Sequence, residues 1–147
     1  MLRGKNILIG ITGGIAAYKS AHLVREFIKA GANVKCIQTP ASKNFITPLT
    51  LATLSKNEVF SEFTTDEENP RWNDHVTLGL WADLFIIAPA TANTLAKMSQ
   101  GICDNLLMAT YFSAKCPIYF APAMDLDMYK HPSTAESLQK LQSFGNT

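Results

Sequence analysis

The chain has 147 residues, 47% of them hydrophobic and 17% charged, with a formal net charge of +1. That is the size of one domain with a sizeable core, and near-neutrality argues against nucleic acid or an anionic membrane as partner. No apolar run approaches the ~20 residues of a membrane-spanning helix. Cys36, Cys103 and Cys116 include no CxxC pair, so no metal site is expected, and Cys36 and Cys116 read as small buried hydrophobes in a reducing compartment.

In chain order, Asn6 to Ile11 is a short continuous apolar strand, as expected when both faces are covered. Ala16 to Ala30 has helical periodicity, with Ala17, Ala21, Val24, Phe27 and Ile28 on one face and Gly31 as its C-cap. A second strand is expected over 33–38, then a helical stretch over 41–56 in which Pro48 breaks or restarts the helix. Residues 57–72 are polar and acidic, contain Asn69-Pro70, and read as a mobile surface excursion. A short helix from His75 to Trp81 leads into a third strong strand over 83–88. Helices follow over 91–100 and 104–114, then a strand over 117–121 and a last helix from Ser133 to Phe144 capped by Gly145.

Strands alternating with helices imply a parallel sheet with right-handed crossovers, an α/β doubly wound domain over 1–147. The alternation calls for another strand at Gly145-Asn146, so the domain is expected to be cut short there. Met1 leads within a few residues into the first strand and leaves no room for a secretory segment. A cytoplasmic location is the expectation.

Three turns at strand ends carry the chemistry. In Gly10-Ile-Thr-Gly-Gly-Ile-Ala-Ala-Tyr-Lys19, a strand, a glycine pair and a helix place free amides where a phosphate can sit. The spacing is neither G-x-G-x-x-G nor a P-loop. The second strand ends in neutral Gln38-Thr39 where a dinucleotide site carries an acid for the ribose, which favours a ligand with one phosphate. Glycine also serves plain packing in tight turns, so this turn alone leaves both readings open. The stretch from Ala88 to Leu107 is more specific: a buried strand ends in Pro-Ala-Thr, Asn93-Thr94 opens a helix, and Asp104-Asn105 starts a second with short capping side chains. Ala121 to Pro132, with two methionines, a tyrosine and two prolines, reads as an irregular loop that either packs or walls a ligand pocket. His75, flanked by polar residues, can exchange a proton near neutrality; His22 and His131 read as surface or capping residues.

On these segments the chain resembles the flavin-dependent cysteine decarboxylase family, and most closely the phosphopantothenoylcysteine decarboxylases, including the amino-terminal domain of the bifunctional decarboxylase–synthetases of coenzyme A biosynthesis. The resemblance runs from Gly13-Gly14 to the last helix. It rests on Pro89-Ala-Thr-Ala-Asn-Thr94, with Thr91 where the family has Ser, on Gly101-Ile-Cys-Asp-Asn-Leu106, and on Pro122-Ala-Met-Asp-Leu-Asp-Met-Tyr129. The last matches Pro-x-Met-Asn-x-x-Met-Trp with Asp125 for Asn and Tyr129 for Trp.

The resemblance implies a Rossmann-like (flavodoxin-like) three-layer αβα fold. It also implies FMN as cofactor, held by Gly13, Gly14, Ile15, Thr39 and Ser42 around the phosphate and by Ala90, Thr91, Asn93 and Thr94 around the ring. Asn105, Ala123, Met124, Asp125 and Met128 would contact the substrate, 4′-phosphopantothenoylcysteine. His75 would be the catalytic base that assists oxidation of the cysteine to a thioaldehyde; carbon dioxide then leaves, and returned hydride gives 4′-phosphopantetheine. A flap cysteine that serves the last step in the pantothenate enzymes would lie beyond Thr147, and Cys103 is not its substitute. The family also implies a homo-oligomer, a trimer or a multiple of trimers, with flavin at the subunit contacts. Asp125 is expected to be protonated in a dry pocket, donating to the substrate carboxylate, or else to orient another polar group. A sister enzyme acting on a carboxy-terminal peptidyl cysteine, and a non-catalytic flavin-binding regulatory subunit, are the alternatives; a flavin prenyltransferase is more remote.

Overall fold

Side-chain alternation along the strands sorts the core into two clusters on opposite faces of one sheet. In this computed structural model, which describes residues 1–65 and 68–147, the strands are β1 (Asn6–Ile11), β2 (Asn33–Gln38), β3 (Val59–Phe60), β4 (Leu84–Ala90) and β5 (Ile118–Pro122). They are all parallel, in the order β3-β2-β1-β4-β5. The helices are α1 (Lys19–Lys29), α2 (Pro48–Ser55), α3 (His75–Trp81), α4 (Ala92–Gln100), α5 (Leu106–Ser113), α6 (Leu126–Lys130) and α7 (Pro132–Ser143).

Ile7, Ile9 and Ile11 of β1 pack with Val24 of α1 and Leu51 of α2. Leu8 points the other way, into a cluster with Phe85, Ile87, Leu95, Met98, Leu107 and Leu141. The result is the expected three-layer, doubly wound αβα domain, a Rossmann-like (flavodoxin-like) fold with the Rossmann strand order. Gly10 lets α5 press onto β1, since a Cβ there would lie 2.9 Å from Leu107 Cδ1. The chain leaves β1 toward β2 and returns to β4 on its other side, so a crevice opens beyond the carboxyl ends of β1 and β4.

Several local expectations are corrected. The first helix begins as a tight 3-10 turn, Ile15–Tyr18, before α1. The stretch 41–56 divides into a 3-10 turn, Pro40–Asn44, and α2, because Pro48 can occupy only the first turn and the Thr47 hydroxyl accepts the Thr50 amide there. The excursion 57–72 contains β3, a Thr64–Trp72 bridge and a Phe63–Trp72 ring stack; Asp66 and Glu67 lie outside the described residues. The loop 121–132 is not wholly irregular. Asp125 caps α6 within it, and the side chain of His131 accepts the Ser133 amide to cap α7. Helix α5 starts at Leu106, with Asn105 as the cap. Gly31 takes a left-handed φ of 91° just past α1, with Arg3 Cα 3.3 Å from where a Cβ would be.

Past α7, the Thr147 amide donates to the Ile118 carbonyl and its carbonyl accepts from Phe120, two ladder bonds on the outer edge of β5. Cys36 is buried, Cys116 half-buried and Cys103 exposed. Burial raises the Cys36 thiol to about 12 and pushes the Cys116 thiol up as well. Among the described residues, no helix is long and apolar enough to cross a membrane, and no group of His, Cys, Asp and Glu could hold a metal ion.

Candidate functional site

The crevice holds a cavity of about 940 Å³, the size of a small-molecule or cofactor site. Four turns at the carboxyl ends of strands build it. After β1, Gly14 precedes the 3-10 turn without a side-chain cap, so the first amides of that turn have no partner within it. Gly13 is glycine because a Cβ would meet Ala41 Cβ at 2.9 Å and Ala41 carbonyl carbon at 3.1 Å. After β2, Thr39 is buried and lines the cavity, and its hydroxyl oxygen has no hydrogen-bond partner among the described residues. A phosphate between Thr39 and the Gly13-Gly14 amides would satisfy all of these groups.

The other walls are helix caps. After β4, the Thr91 hydroxyl accepts the Thr94 amide and donates to the Thr94 hydroxyl, both at 3.2 Å, so it is consumed inside α4. Asn93 also lines the cavity, and its side chain has no hydrogen bond among the described residues. Asn105 Oδ1 accepts the Met108 amide at 2.8 Å and leaves its Nδ2 donors uncommitted. Asp125 Oδ1 accepts the Met128 amide at 2.8 Å, leaving Oδ2 without a partner among the described residues. Asp125 is exposed, not in the dry pocket expected of it, and it orients the start of α6 while facing the same space.

Of the residues singled out in the sequence, Gly13, Gly14, Ile15, Thr39, Thr91, Asn93, Thr94, Asn105, Ala123, Met124, Asp125 and Met128 line this one cavity. Three stand off its wall. Ser42 is fully buried behind the Thr39 turn, where its hydroxyl donates to the Thr39 carbonyl at 2.7 Å. Ala90 lies beneath, its carbonyl accepting the Ala123 amide at 3.1 Å. His75 opens α3, where Asp74 accepts the Val76 amide and the Thr77 hydroxyl. Those bonds, the Thr77 hydroxyl first, hold the Asp74 carboxyl below its ordinary range. The Trp72 ring meets the His75 imidazole edge-on, with centroids 6.2 Å apart, and His75 Nδ1 is buried without a partner among the described residues.

The sequence reading missed Thr12, Tyr18, Lys19 and Lys97, and it took Asp104 for a helix cap where Asn105 alone caps α5. Thr12 is buried, and its hydroxyl donates to the Pro89 carbonyl and accepts the Thr91 amide, fastening two walls together. Tyr18 and Lys19 line the cavity from the first turn. Their signal was available in the sequence, directly after the glycine pair. Lys97 Nζ lies 2.9 Å from both carboxylate oxygens of Asp104 across the α4–α5 connection.

The Flavoprotein family matches this sequence over residues 1–147. The chain belongs to the Flavoprotein family. Among flavoprotein relatives, a cysteine/cysteine sulfinic acid decarboxylase from an unknown prokaryotic organism is 61% identical over 101 residues, covering 69% of this chain and 28% of the relative. The coenzyme A biosynthesis bifunctional protein CoaBC of Bacillus subtilis is 42% identical over 145 residues, 99% of this chain and 36% of that protein. The chain therefore spans about a third of the length of these two relatives. The solved FMN-dependent cysteine decarboxylase SpaF superposes with a TM-score of 0.90 at 28% identity, over 99% of this chain and 83% of SpaF. A PPC decarboxylase mutant complexed with pantothenoylaminoethenethiol superposes at 0.82 with 32% identity, over 99% of this chain and 81% of that one.

Proposed function

We propose that this flavoprotein binds FMN and decarboxylates 4′-phosphopantothenoylcysteine in coenzyme A synthesis. One observation carries the reading: the residues of all three motifs meet around a single cavity with a phosphate cradle at one end. The cradle fits FMN, because the buried Thr39 hydroxyl has no partner among the described residues and the first amides of the turn after Gly14 have no side-chain cap. Similarity to CoaBC over 99% of this chain, though only 36% of that protein, supports the choice of substrate.

Gly13, Gly14, Ile15 and Thr39 would hold the FMN phosphate, with Ser42 fixing the Thr39 carbonyl from behind. Ala90, Thr91, Asn93 and Thr94 would bound the ring, Asn93 through its side-chain amide and Thr91 through its place in the wall. Bound FMN supplies reversible two-electron chemistry that lets the cysteine lose carbon dioxide and end without net redox change. Asn105 offers a neutral donor, and Asp125 one carboxylate oxygen, to the substrate; Ala123, Met124 and Met128 give it an apolar bed. Tyr129 is exposed beside them.

His75 acts as the base in this reading, and its place off the cavity wall of its own subunit fits a site completed between subunits. Trp72, Val76 and Leu80, on or next to the helix that carries it, are exposed apolar residues, as a homotrimer contact requires.

A second reading, decarboxylation of another cysteine compound, is favoured by the 61% identical relative and by the SpaF superposition. Anaerobic incubation with FMN and 4′-phosphopantothenoylcysteine, followed by mass spectrometry and the flavin spectrum, tests the first. Loss of CO2 with flavin returning to its oxidised state supports it, and loss of CO2 with an enethiol and bleached flavin places decarboxylation without the final reduction. Yellow protein that turns over only cysteine, cysteine sulfinic acid or a cysteine-ending peptide transfers the assignment to the second.

A further inference from the structure

We propose that the Lys97–Asp104 ion pair is the positioning element that aims the Asn105 side-chain amide into the cavity. The inference rests on the proposed reading, in which Asn105 contacts the substrate.

The connection from α4 to α5 is held from Lys97. Its carbonyl accepts the amides of Gly101 and Ile102, the latter at 3.0 Å, which turns the chain at the left-handed Gly101 (φ 75°). Its ammonium grips both oxygens of Asp104 at 2.9 Å. Asn105 follows at once, and its Oδ1 is committed to the Met108 amide. With one end of the amide fixed by the cap and the preceding residue fixed by the ammonium, only Nδ2 is left for a ligand, in one orientation. The Lys97 side chain is 21% exposed and that of Asp104 53%, so the pair is partly open to solvent and its part is to fix geometry rather than to add much stability. Both partners line the cavity, and together they add no net charge to its wall.

That neutrality separates positioning from simple electrostatics. Were charge the point, Lys97→Met would leave an extra anion and Asp104→Asn an extra cation, with opposite effects on an anionic substrate. Positioning predicts the same direction for both. The test uses the full chain loaded with FMN, with KM and kcat for 4′-phosphopantothenoylcysteine and with the Asn105 side-chain amide signals followed by NMR in the FMN-free protein. Lys97→Met and Asp104→Asn should each raise KM about tenfold and shift the Asn105 amide signals, with urea midpoints recording whether the fold is intact. Lys97→Arg, which keeps a bidentate grip, should restore both readouts. In an Asn105→Ala background Lys97→Met should add nothing to KM, since its effect passes through Asn105.

Opposite KM effects of the two single variants, full recovery in the Lys97→Met/Asp104→Asn double variant, or unmoved Asn105 signals would each overturn the proposal. Wild-type protein that binds FMN without turning over this substrate overturns the substrate reading instead, and the NMR comparison still decides the positioning.

Discussion

The Thr12 hydroxyl accepts the Thr91 amide at 3.1 Å, joining the end of β1 to the start of α4 across 79 positions of sequence. The same hydroxyl donates to the Pro89 carbonyl. The first turn and the α4 wall of the cavity therefore share one buried side chain. Thr12→Val, close in shape, leaves a carbonyl and an amide unpaired and should cost about 1–3 kcal/mol in urea unfolding, together with weaker FMN binding by fluorescence quenching. An unchanged midpoint would show that water replaces the hydroxyl.

The two glycines of the first turn should respond differently to the same change. Gly13→Ala drives a Cβ to 2.9 Å from Ala41 Cβ and must part the first turn from the Thr39 turn. Gly14→Ala meets nothing nearer than Thr91 Cγ2 at 3.7 Å. Isothermal titration with FMN should show a loss of tenfold or more for the first and little change for the second. Equal losses would mean that the glycine pair is needed for something other than space.

His75→Asn should lower kcat by about 10²-fold or more while FMN stays bound, as expected when a general base is removed. Yellow His75→Asn protein with undiminished turnover would exclude His75 as the base.

At Asp125 the cap and the ligand contact can be separated. Asn caps helices as well as Asp does, so Asp125→Asn should leave stability unchanged, whereas Asp125→Ala should cost about 1 kcal/mol. Asp125→Asn should also retain or improve turnover, because an amide at this position can donate to the substrate carboxylate. Complete loss of turnover would assign the carboxylate itself a necessary role.

Cys36 gives the fold an alkaline limit. Its folded thiol sits at about 12, against 9.0 when solvated. The thiol's contribution is fully present below pH 9.0, where both states are protonated. Above that the unfolded chain releases a proton that the folded chain keeps, so stability falls as pH rises toward 12. Urea midpoints from neutral to strongly alkaline pH should fall less steeply for Cys36→Ala than for the parent. Parallel slopes would place the alkaline sensitivity elsewhere, with Tyr111, raised by burial, the next group to change.

The sequence disclosed the larger elements because their apolar periods are long and their ends carry short polar residues; Asn105 was legible as a cap for that reason, whereas Thr91, two residues before the Asn93-Thr94 pair expected to open α4, was not. Val59–Phe60 is too short to show alternation, and Leu126–Lys130 is too short to show a helical face. Both are held by neighbours the sequence does not announce. The cavity residues were legible as motif members, yet their division of labour was not. That Thr91 spends its hydroxyl on its own helix, and that Ser42 supports Thr39 from behind, depends on rotamers and burial. Thr12 could not be read at all, since its role exists only once β1 and β4 lie side by side. Lys97 and Asp104 meet only because Gly101 reverses the chain between them.

The pairing of β1 with β4, Ile7 beside Leu84 and Gly10 beside Ile87, also bears on how the protein comes to be folded. Contacts between such distant segments require closure of a long loop, an entropic cost that local helices do not carry. The crevice has no walls until that closure is complete. Ligand capture is therefore a late event in the life of the chain, and quenching of free flavin during refolding would act as a clock for the meeting of its two central strands.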